Sequence, residues 1–257
     1  MKRSTRIVLG VISVLAVAVC AVCIFFIVQF YRGKALSDRL GSGVSSGIIS
    51  TALTDPNDPT RYMTSSVDFD ELQAMNDEVY AWIEVPGTVI NYAVVQSATD
   101  DLFYINHAVD KSYFSGGSIF SQRYNTTFQD SMTVLYGHNS RSQAMFAQLN
   151  NFADASFFEQ NQSIYIYTPE KVYEYQIFAA YPHSSDHLLL CNDFNDPEQF
   201  AAYFDSLADG VNCNYRRDLF PQFGDKVLTL STCYRQNRTQ RFLVQGVLTQ
   251  EYTVLKK

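Results

Sequence analysis

The stretch Val227-Leu228-Thr229-Leu230-Ser231-Thr232-Cys233 is a predicted β-strand that ends on a cysteine. Its β-branched and aliphatic residues favour extended backbone, and the next apolar segment, residues 242–249, follows after a polar loop. Side chains alternate in residues 164–167 and 172–177, which predicts two more strands. Shorter apolar segments predict further strands at residues 82–85, 89–95, 118–121 and 132–135. Many short strands with few helices predict a mostly β domain, either a barrel or a sandwich with helical insertions.

Three helices are predicted between these strands. Asp68 is suited to cap the first, because its side chain can accept a hydrogen bond from a backbone N–H of the opening turn. Asp196 is suited to cap a second helix, which has Pro197 at its first position and ends at Gly210. A third, shorter helix is predicted over residues 143–150.

The composition fits a folded, acidic domain. Of the 257 residues, 47 % are apolar and 14 % aromatic, which is enough to bury the core of one or at most two domains. The formal net charge is −7, and residues 1–34 hold basic side chains and no acidic one, so the remainder is more acidic still. An acidic surface argues against nucleic acid as a partner and against broad contact of the folded part with anionic lipid.

The run Ile7–Tyr31 is apolar apart from Ser13 and Gln29. About 20 apolar residues cross the hydrocarbon core of a membrane, whereas the apolar part of a cleaved signal has about 7–15. The run therefore predicts an uncleaved transmembrane anchor with a single span. Basic residues before it favour a short cytoplasmic tail, residues 1–6, and a cell-membrane protein whose folded part is extracellular.

The segment after the anchor, residues 32–65, is rich in glycine and serine. It also contains two Asp-Pro pairs within residues 55–59, a dipeptide that is typical of turns. That composition is typical of a flexible extracellular tether. Residues 66–257 carry the predicted barrel or sandwich strands and are predicted to form the folded domain.

Outside the apolar run there are three cysteines, Cys191, Cys213 and Cys233. An odd number in an exported domain indicates at least one free thiol. Cys191 and Cys213 can form a disulfide or remain two buried thiols. No Cys-x-x-Cys pair lies outside the apolar run, and His183 and His187 have no acidic partners in a ligand pattern, so neither a metal site nor a cofactor is predicted.

Cys233 differs from the other two because cationic side chains follow it, at Arg235, Arg238 and Arg241. Nearby cations favour the thiolate form of a cysteine, which is its nucleophilic form. A general acid or base for such a nucleophile is expected at His138, since this histidine follows a predicted strand and begins a polar turn.

Three motifs together resemble the sortases of Gram-positive bacteria. They are Thr229-Leu230-Ser231-Thr232-Cys233, Tyr136-Gly137-His138-Asn139, and the arginine that opens Arg241-Phe242-Leu243-Val244. Residues 77–88 and 145–152 are most similar to class B members, and the similarity covers roughly residues 66–250. The resemblance implies a closed eight-stranded β-barrel with N-terminal helices and a helical insertion before the cysteine strand, preceded by one transmembrane helix.

The resemblance also implies a reaction. Sortases are cysteine transpeptidases that cleave the C-terminal sorting signal of an exported protein after its Thr. They then join the Thr carbonyl to an amine, usually that of the lipid-linked peptidoglycan precursor. Class B members recognise signals similar to Asn-Pro-x-Thr-Asn or to Ser/Pro-Pro-x-Thr-Gly.

Residue roles follow from the same resemblance. Cys233 is the implied nucleophile that forms a thioester, His138 the implied proton donor and acceptor, and Arg241 the implied partner of the oxyanion or of the sorting peptide. Three further residues are implied to bind substrate: Ser231, Thr232 and Ile105.

Three alternatives stay open. A pilin-polymerising sortase would use a Lys side chain as acceptor, and a non-catalytic membrane-tethered barrel would act as an interaction module. A cysteine protease of papain type is disfavoured, because that fold places its Cys before its His, whereas His138 precedes Cys233 here.

Overall fold

The computed structural model describes residues 3–43, 53–55, 58–207, 210 and 213–255. Its strands are β1 (Leu53–Asp55), β2 (Asp58–Met63), β3 (Val79–Glu84), β4 (Asn91–Val95), β5 (Ile119–Phe120), β6 (Met132–Tyr136), β7 (Ser163–Tyr167), β8 (Lys171–His183), β9 (Asn214–Tyr215), β10 (Val227–Cys233) and β11 (Arg241–Val254). Its α-helices are α1 (Arg3–Gly43), α2 (Phe69–Met75), α3 (Ala155–Gln160), α4 (Leu188–Cys191) and α5 (Pro197–Leu207). Segments of 3-10 helix cover Phe103–Ile105, Ala147–Ala153 and Arg217–Leu219.

The strands of the described residues close into a barrel. Neighbouring strands follow the order β11-β10-β6-β5-β4-β3-β7-β8, and β8 pairs back onto β11 along most of its length. Strands β1 and β2 extend the sheet beyond β11, and β9 extends it beyond β8. The predicted mostly β fold with a closed eight-stranded barrel is confirmed.

The barrel interior is filled by aliphatic and aromatic side chains, as the alternation in the sequence predicts. Strands on all sides contribute fully buried residues, among them Ile83, Val94, Leu135, Ile166, Leu230 and Val244. A second cluster outside the barrel wall surrounds Trp82, and a third lies under the helical insertion around Phe200 and Phe204. Burial of this apolar area is the main stabilising contribution to the fold.

Two predicted helices are confirmed with their caps. The Asp68 side chain accepts a hydrogen bond from the Glu71 N–H at 2.9 Å, and α2 follows. The Asp196 side chain accepts from the N–H groups of Glu198 and Gln199 at the start of α5. Residues 208–209, near the predicted end of this helix, lie outside the described residues.

The third predicted helix, over residues 143–150, is wrong in its first half. Gln143 and Met145 have φ angles of 61° and 54°, in the left-handed region that a right-handed helix excludes. A 3-10 helix begins only at Ala147 and runs to Ala153. The isolated bridge between Asn139 and Met145 holds the preceding turn in a non-helical conformation.

The segment predicted to be a flexible tether, residues 32–65, carries regular structure in its described part. Helix α1 continues through Gly43. Within it, Leu36 packs against the core inside the barrel, and Leu40 packs against the cluster around Trp82. Strand β2 pairs in parallel with the end of β11. This pairing is made by backbone hydrogen bonds, which side-chain composition does not reveal. The rest of this segment, residues 44–52 and 56–57, lies outside the described residues, as do residues 1–2 of the predicted cytoplasmic tail.

Among the described residues, the helical stretch Val11–Leu40 is long and apolar enough to cross a membrane. Its most apolar part is not buried inside the protein, in contrast to the core helix of a soluble domain. This stretch overlaps the predicted span at Ile7–Tyr31.

Candidate active site

Parallel pairing of β6 and β10 brings two distant parts of the chain to one edge of the barrel. Ser231 lies opposite Tyr136, and the Ser231 carbonyl accepts a hydrogen bond from the Gly137 N–H at 3.1 Å. Both strands end at the same edge because they run in the same direction. His138 and Cys233, each two residues beyond this pair, therefore reach the same site from sequence positions far apart.

Antiparallel pairing of β10 with β11 places Arg241 directly opposite Cys233. The Arg241 guanidinium donates a hydrogen bond from Nη1 to the Cys233 Sγ at 3.0 Å. A fixed positive charge at that distance stabilises a thiolate and any oxyanion that forms next to it.

The other two arginines near Cys233 have different surroundings. The Arg235 guanidinium donates to the carbonyl of Ala147 at 3.1 Å, and its backbone N–H donates to the Asn150 side chain at 2.7 Å. Arg238 is exposed to solvent. Of the three arginines, Arg241 has the guanidinium that contacts the thiol.

His138 is held through its ring Nε2, which lies 2.6 Å from the carbonyl oxygen of Ile105. Because a carbonyl oxygen only accepts hydrogen bonds, Nε2 carries the hydrogen, and Nδ1 is the proton-accepting nitrogen of the neutral ring. The contact therefore fixes both the orientation and the tautomer of a histidine suited to acid and base roles.

Ile105 was predicted as an apolar substrate contact, and the structure shows a second role for it, in positioning His138. Its side chain lines the cleft and is 40 % exposed, while its carbonyl orients His138. The left-handed Gly117 (φ 62°) lies directly behind this carbonyl, where a Cβ atom would come within 2.6 Å of the oxygen. A glycine is required there because it lets the two backbone segments approach.

Tyr104 holds the same segment from the other side. Its hydroxyl donates to the Glu78 carboxylate at 2.5 Å and accepts from the Asn76 side-chain amide at 2.7 Å. Lys111 forms an ion pair with Glu78 at 3.3 Å. These contacts connect the end of α2 to the residue that orients His138.

Burial alone would raise the pKa of Glu78, but hydrogen bonds from Tyr104, the Ala98 N–H and Lys111 outweigh it and lower that pKa below its ordinary value. A carboxyl group with a lowered pKa in the folded state stabilises the fold above its ordinary pKa, and this contribution is lost as the pH falls through the lowered pKa. We therefore expect Glu78→Gln to lower the thermal midpoint by a few degrees (about 2–4 °C) at pH 7. We expect a much smaller difference near pH 3.5, below the usual range for Glu, which is around 4.3.

The measurement is thermal unfolding of the full chain in mild detergent, for wild type and Glu78→Gln, across this pH range. Asp77→Asn is the matched control, because Asp77 makes only a long 3.4 Å contact with Lys111 and is strongly exposed. A difference between wild type and Glu78→Gln that stays constant with pH would contradict the assigned role of the carboxylate.

These groups surround one cleft of about 240 Å³. All six residues predicted from the sequence line it: Ile105, His138, Ser231, Thr232, Cys233 and Arg241. Thr232 is buried, and its hydroxyl has no hydrogen-bond partner among the residues that the structure describes.

Sequence reasoning missed another part of the cleft lining. It is formed by the segment that leads into α4, with His183, Asp186, His187 and Leu188. His187 contacts the Gln122 side chain through Nε2 at 2.7 Å. His183 could have been assigned to this wall only from the barrel closure, since it lies opposite Arg241 in the pairing of β8 with β11.

Two asparagines that hold the backbone of the nucleophile candidate were also missed. The side-chain amides of Asn139 and Asn150 both donate to the carbonyl of Cys233, at 2.9 Å and 3.3 Å. Tyr136, which is half-buried, also lines the cleft, and burial raises the pKa of its hydroxyl to about 12. Asn139 directly follows His138, so its place at the site could have been predicted from the sequence.

The other two cysteines are free thiols in the structure, so the disulfide alternative is not realised there. Cys213 is half-buried, and burial raises the pKa of its thiol to about 11. Cys191 is exposed, in contrast to the buried position expected for it. Of these three thiols, the Cys233 thiol is the one next to a guanidinium.

Comparison with known proteins agrees with this geometry. Residues 83–249 match the family model of the sortase domain. Sortase B of Listeria monocytogenes is 29 % identical over 181 residues, which cover 69 % of this chain and 72 % of the relative.

Solved structures give the same result. Clostridium perfringens sortase B is 30 % identical with a TM-score of 0.65 and matches 71 % of this chain and 100 % of its own. A Streptococcus pyogenes class B sortase involved in pilus biogenesis is 30 % identical with a TM-score of 0.62, over 71 % of this chain and 98 % of its own. Because the family model covers more than half of the chain and its curated and structural relatives are class B enzymes, this chain belongs to the sortase family of transpeptidases, in class B.

Proposed function

We propose that this sortase is anchored in the cell membrane, cleaves a C-terminal sorting signal after its Thr, and transfers the protein to an amine of the peptidoglycan precursor. The observation that supports the chemistry is the 3.0 Å contact from the Arg241 guanidinium to the Cys233 Sγ, in a cleft that also contains His138. A nucleophile, a proton carrier and an oxyanion partner are the groups that acyl transfer needs.

The first half-reaction forms a thioester. The Nδ1 atom of His138 first takes the thiol proton of Cys233, so that both ring nitrogens carry a hydrogen. The Cys233 thiolate attacks the Thr carbonyl carbon, and the carbonyl oxygen takes the negative charge next to Arg241. The C–N bond then breaks, and the leaving amine takes a proton from His138. The segment after the Thr departs, and the protein remains bound to Cys233 as an acyl-enzyme.

The second half-reaction releases the product. The acceptor amine attacks the thioester carbon, and His138 takes the proton that the amine loses. The Cys233 thiolate leaves, which restores the starting state. In both halves Ser231 and Thr232, which line the cleft, hold the sorting peptide, and the Ile105 side chain gives it an apolar contact.

We assign residues 7–31 to the membrane anchor, with residues 1–6 on the cytoplasmic side. Residues 32–65 connect the anchor to an extracellular catalytic domain of residues 66–257. The exposed apolar helix supports the anchor. The basic residues before it support the orientation, since positive charge is enriched on the cytoplasmic side.

The test is a cleavage assay of the full chain in detergent with a panel of quenched peptides. The panel contains Asn-Pro-x-Thr-Asn and Ser/Pro-Pro-x-Thr-Gly sequences together with variants that lack the Thr. We expect cleavage after the Thr of at least one peptide and a mass increase confined to Cys233. A folded sample that gives neither cleavage nor an adduct with any peptide would contradict the enzyme assignment and favour a non-catalytic interaction module.

The acceptor is tested in the same assay by adding either triglycine or a peptide with one Lys side chain. The wall-anchoring proposal predicts a product joined through the triglycine amine. The resemblance to the pilus-related Streptococcus pyogenes enzyme favours a second candidate, a pilin-polymerising sortase, which predicts a product joined through the Lys side chain. Mass spectrometry of the two products decides between them.

A further inference from the structure

The last turns of the apolar run in α1 contact a loop of the catalytic domain. The ring of Phe26 lies 5.6 Å from that of Tyr113, and the ring of Phe30 lies 5.7 Å from that of Phe114. One turn further on, a Cβ atom on Gly33 would come within 2.5 Å of the Phe114 ring, so the helix and the loop are in direct contact. The end of the membrane run and this loop of the catalytic domain are therefore packed against each other.

The level of Tyr113 relative to a membrane follows from helix geometry. The run Ile7–Tyr31 has about 25 residues and as a helix is roughly 37 Å long, which exceeds the hydrocarbon core of ~30 Å. A span that starts at Ile7 therefore leaves the hydrocarbon near Phe26. Because the Tyr113 ring touches Phe26, it lies at the boundary between acyl chains and head groups, or deeper if the span starts later.

Tyr113 has the chemistry of such a boundary. It is 38 % exposed in the structure, although it is a large aromatic side chain. Tyr is enriched at membrane interfaces because its ring is apolar and its hydroxyl bonds to water or head groups. The acidic charge of the domain argues against a broad electrostatic contact with anionic lipid, whereas one aromatic side chain beside the anchor needs no such charge.

A short series of contacts connects this loop to the cleft. The Tyr113 ring lies 6.2 Å from the ring of His107, and His107 stacks on Phe103 at 4.0 Å. Phe103 begins the 3-10 helix that ends at Ile105, whose carbonyl binds His138. The side of the cleft formed by Ile105 is therefore the side nearest to the anchor.

We propose that the loop Asp110–Phe114 contacts the lipid bilayer, with Tyr113 in its interfacial layer, and holds the Ile105 side of the catalytic cleft close to the membrane surface. The inference rests on the membrane anchor proposed above. It gives the domain a fixed orientation on the membrane, in place of free rotation on a flexible tether. Substrates that are themselves bound to the membrane would then reach the cleft along its surface.

The test uses the full chain in phosphatidylcholine vesicles whose acyl chains carry bromine either near the head group or near the bilayer centre. Bromine quenches Trp fluorescence at short range, and the native Trp82 is buried and common to all samples. Tyr113→Trp reports on the loop. Tyr215→Trp is the matched control, because Tyr215 is 39 % exposed and its ring contacts Phe220.

We expect Tyr113→Trp to be quenched at least about twofold more than Tyr215→Trp, most strongly by bromine near the head group. Equal, weak quenching of both variants in chains that float with the vesicles would overturn the loop contact and leave the anchor and the chemistry intact. A chain that does not float with the vesicles would contradict the anchor itself and with it this inference. The fold of both variants is checked by their thermal midpoints, and peptide cleavage is measured separately.

Discussion

Replacement of Cys233 by Ala eliminates the acyl-enzyme and lowers transpeptidation to background. The half-reactions proposed above both pass through a bond to this sulfur. In other enzymes that use a covalent intermediate, loss of the nucleophile costs more than about 10⁴-fold in turnover. Cys233 is partly exposed at the end of a strand, so its replacement removes little buried volume and leaves the fold intact.

The chain supplies its own controls for this result. Cys213→Ala and Cys191→Ala remove the other two thiols of the domain, and both are expected to retain full activity. The raised pKa of Cys213, about 11, leaves little thiolate at neutral pH, and Cys191 is not among the residues that line the cleft. An adduct found on either of these residues, or turnover that survives in Cys233→Ala, would overturn the assignment of the nucleophile.

Replacement of Arg241 by Ala is expected to lower turnover by about 100- to 1000-fold, the usual cost of losing one oxyanion donor. The guanidinium contacts the Cys233 Sγ directly, so it lies where negative charge is carried by the thiolate and then by the carbonyl oxygen. Arg241→Lys keeps the charge and loses the planar pair of donors, so partial activity is expected from that variant.

Kinetics separate the two roles that Arg241 could have. Stabilisation of the oxyanion predicts a fall in kcat with little change in KM, whereas binding of the sorting peptide predicts a rise in KM. Arg238→Ala and Arg235→Ala are the matched controls, because these side chains are exposed and the Arg235 guanidinium donates to the Ala147 carbonyl. A variant of Arg238 that is more damaging than Arg241→Ala would show that the wrong arginine has been assigned.

The barrel strands and the capped helices were predictable because their signals are local. The alternation of aliphatic and aromatic side chains in residues 164–167 is visible within four consecutive residues. A capping Asp likewise lies next to the helical turn that it caps. Strands β1, β2 and β9 gave no such signal. Strands β1 and β9 have only three and two residues, and β2 and β9 join the barrel through backbone pairing with distant strands. The left-handed Gln143 and Met145 likewise depend on a bridge that the sequence does not reveal.

The candidate site shows the same division. Its motifs identified the residues on β10, on β11 and after β6, because each motif is continuous in sequence. The contact of the Ile105 carbonyl with His138 uses a backbone atom, which no residue type encodes. The wall that contains His183 and His187 forms only when β8 pairs with β11, and that pairing joins segments about 70 residues apart.

The order of strands along the chain also determines when Cys233 gains its arginine partner. Strand β10 inserts between β6 and β11, and β11 then closes the barrel against β8. During synthesis the chain emerges N-terminus first, so all the barrel strands except β11 have been made by the time Cys233 appears. Arg241, whose guanidinium contacts Cys233, follows eight residues later. A chain that ends before Arg241 thus lacks both the strand that closes the barrel and the guanidinium that contacts Cys233. The same step of synthesis that closes the barrel therefore also completes the set of side chains at the candidate site.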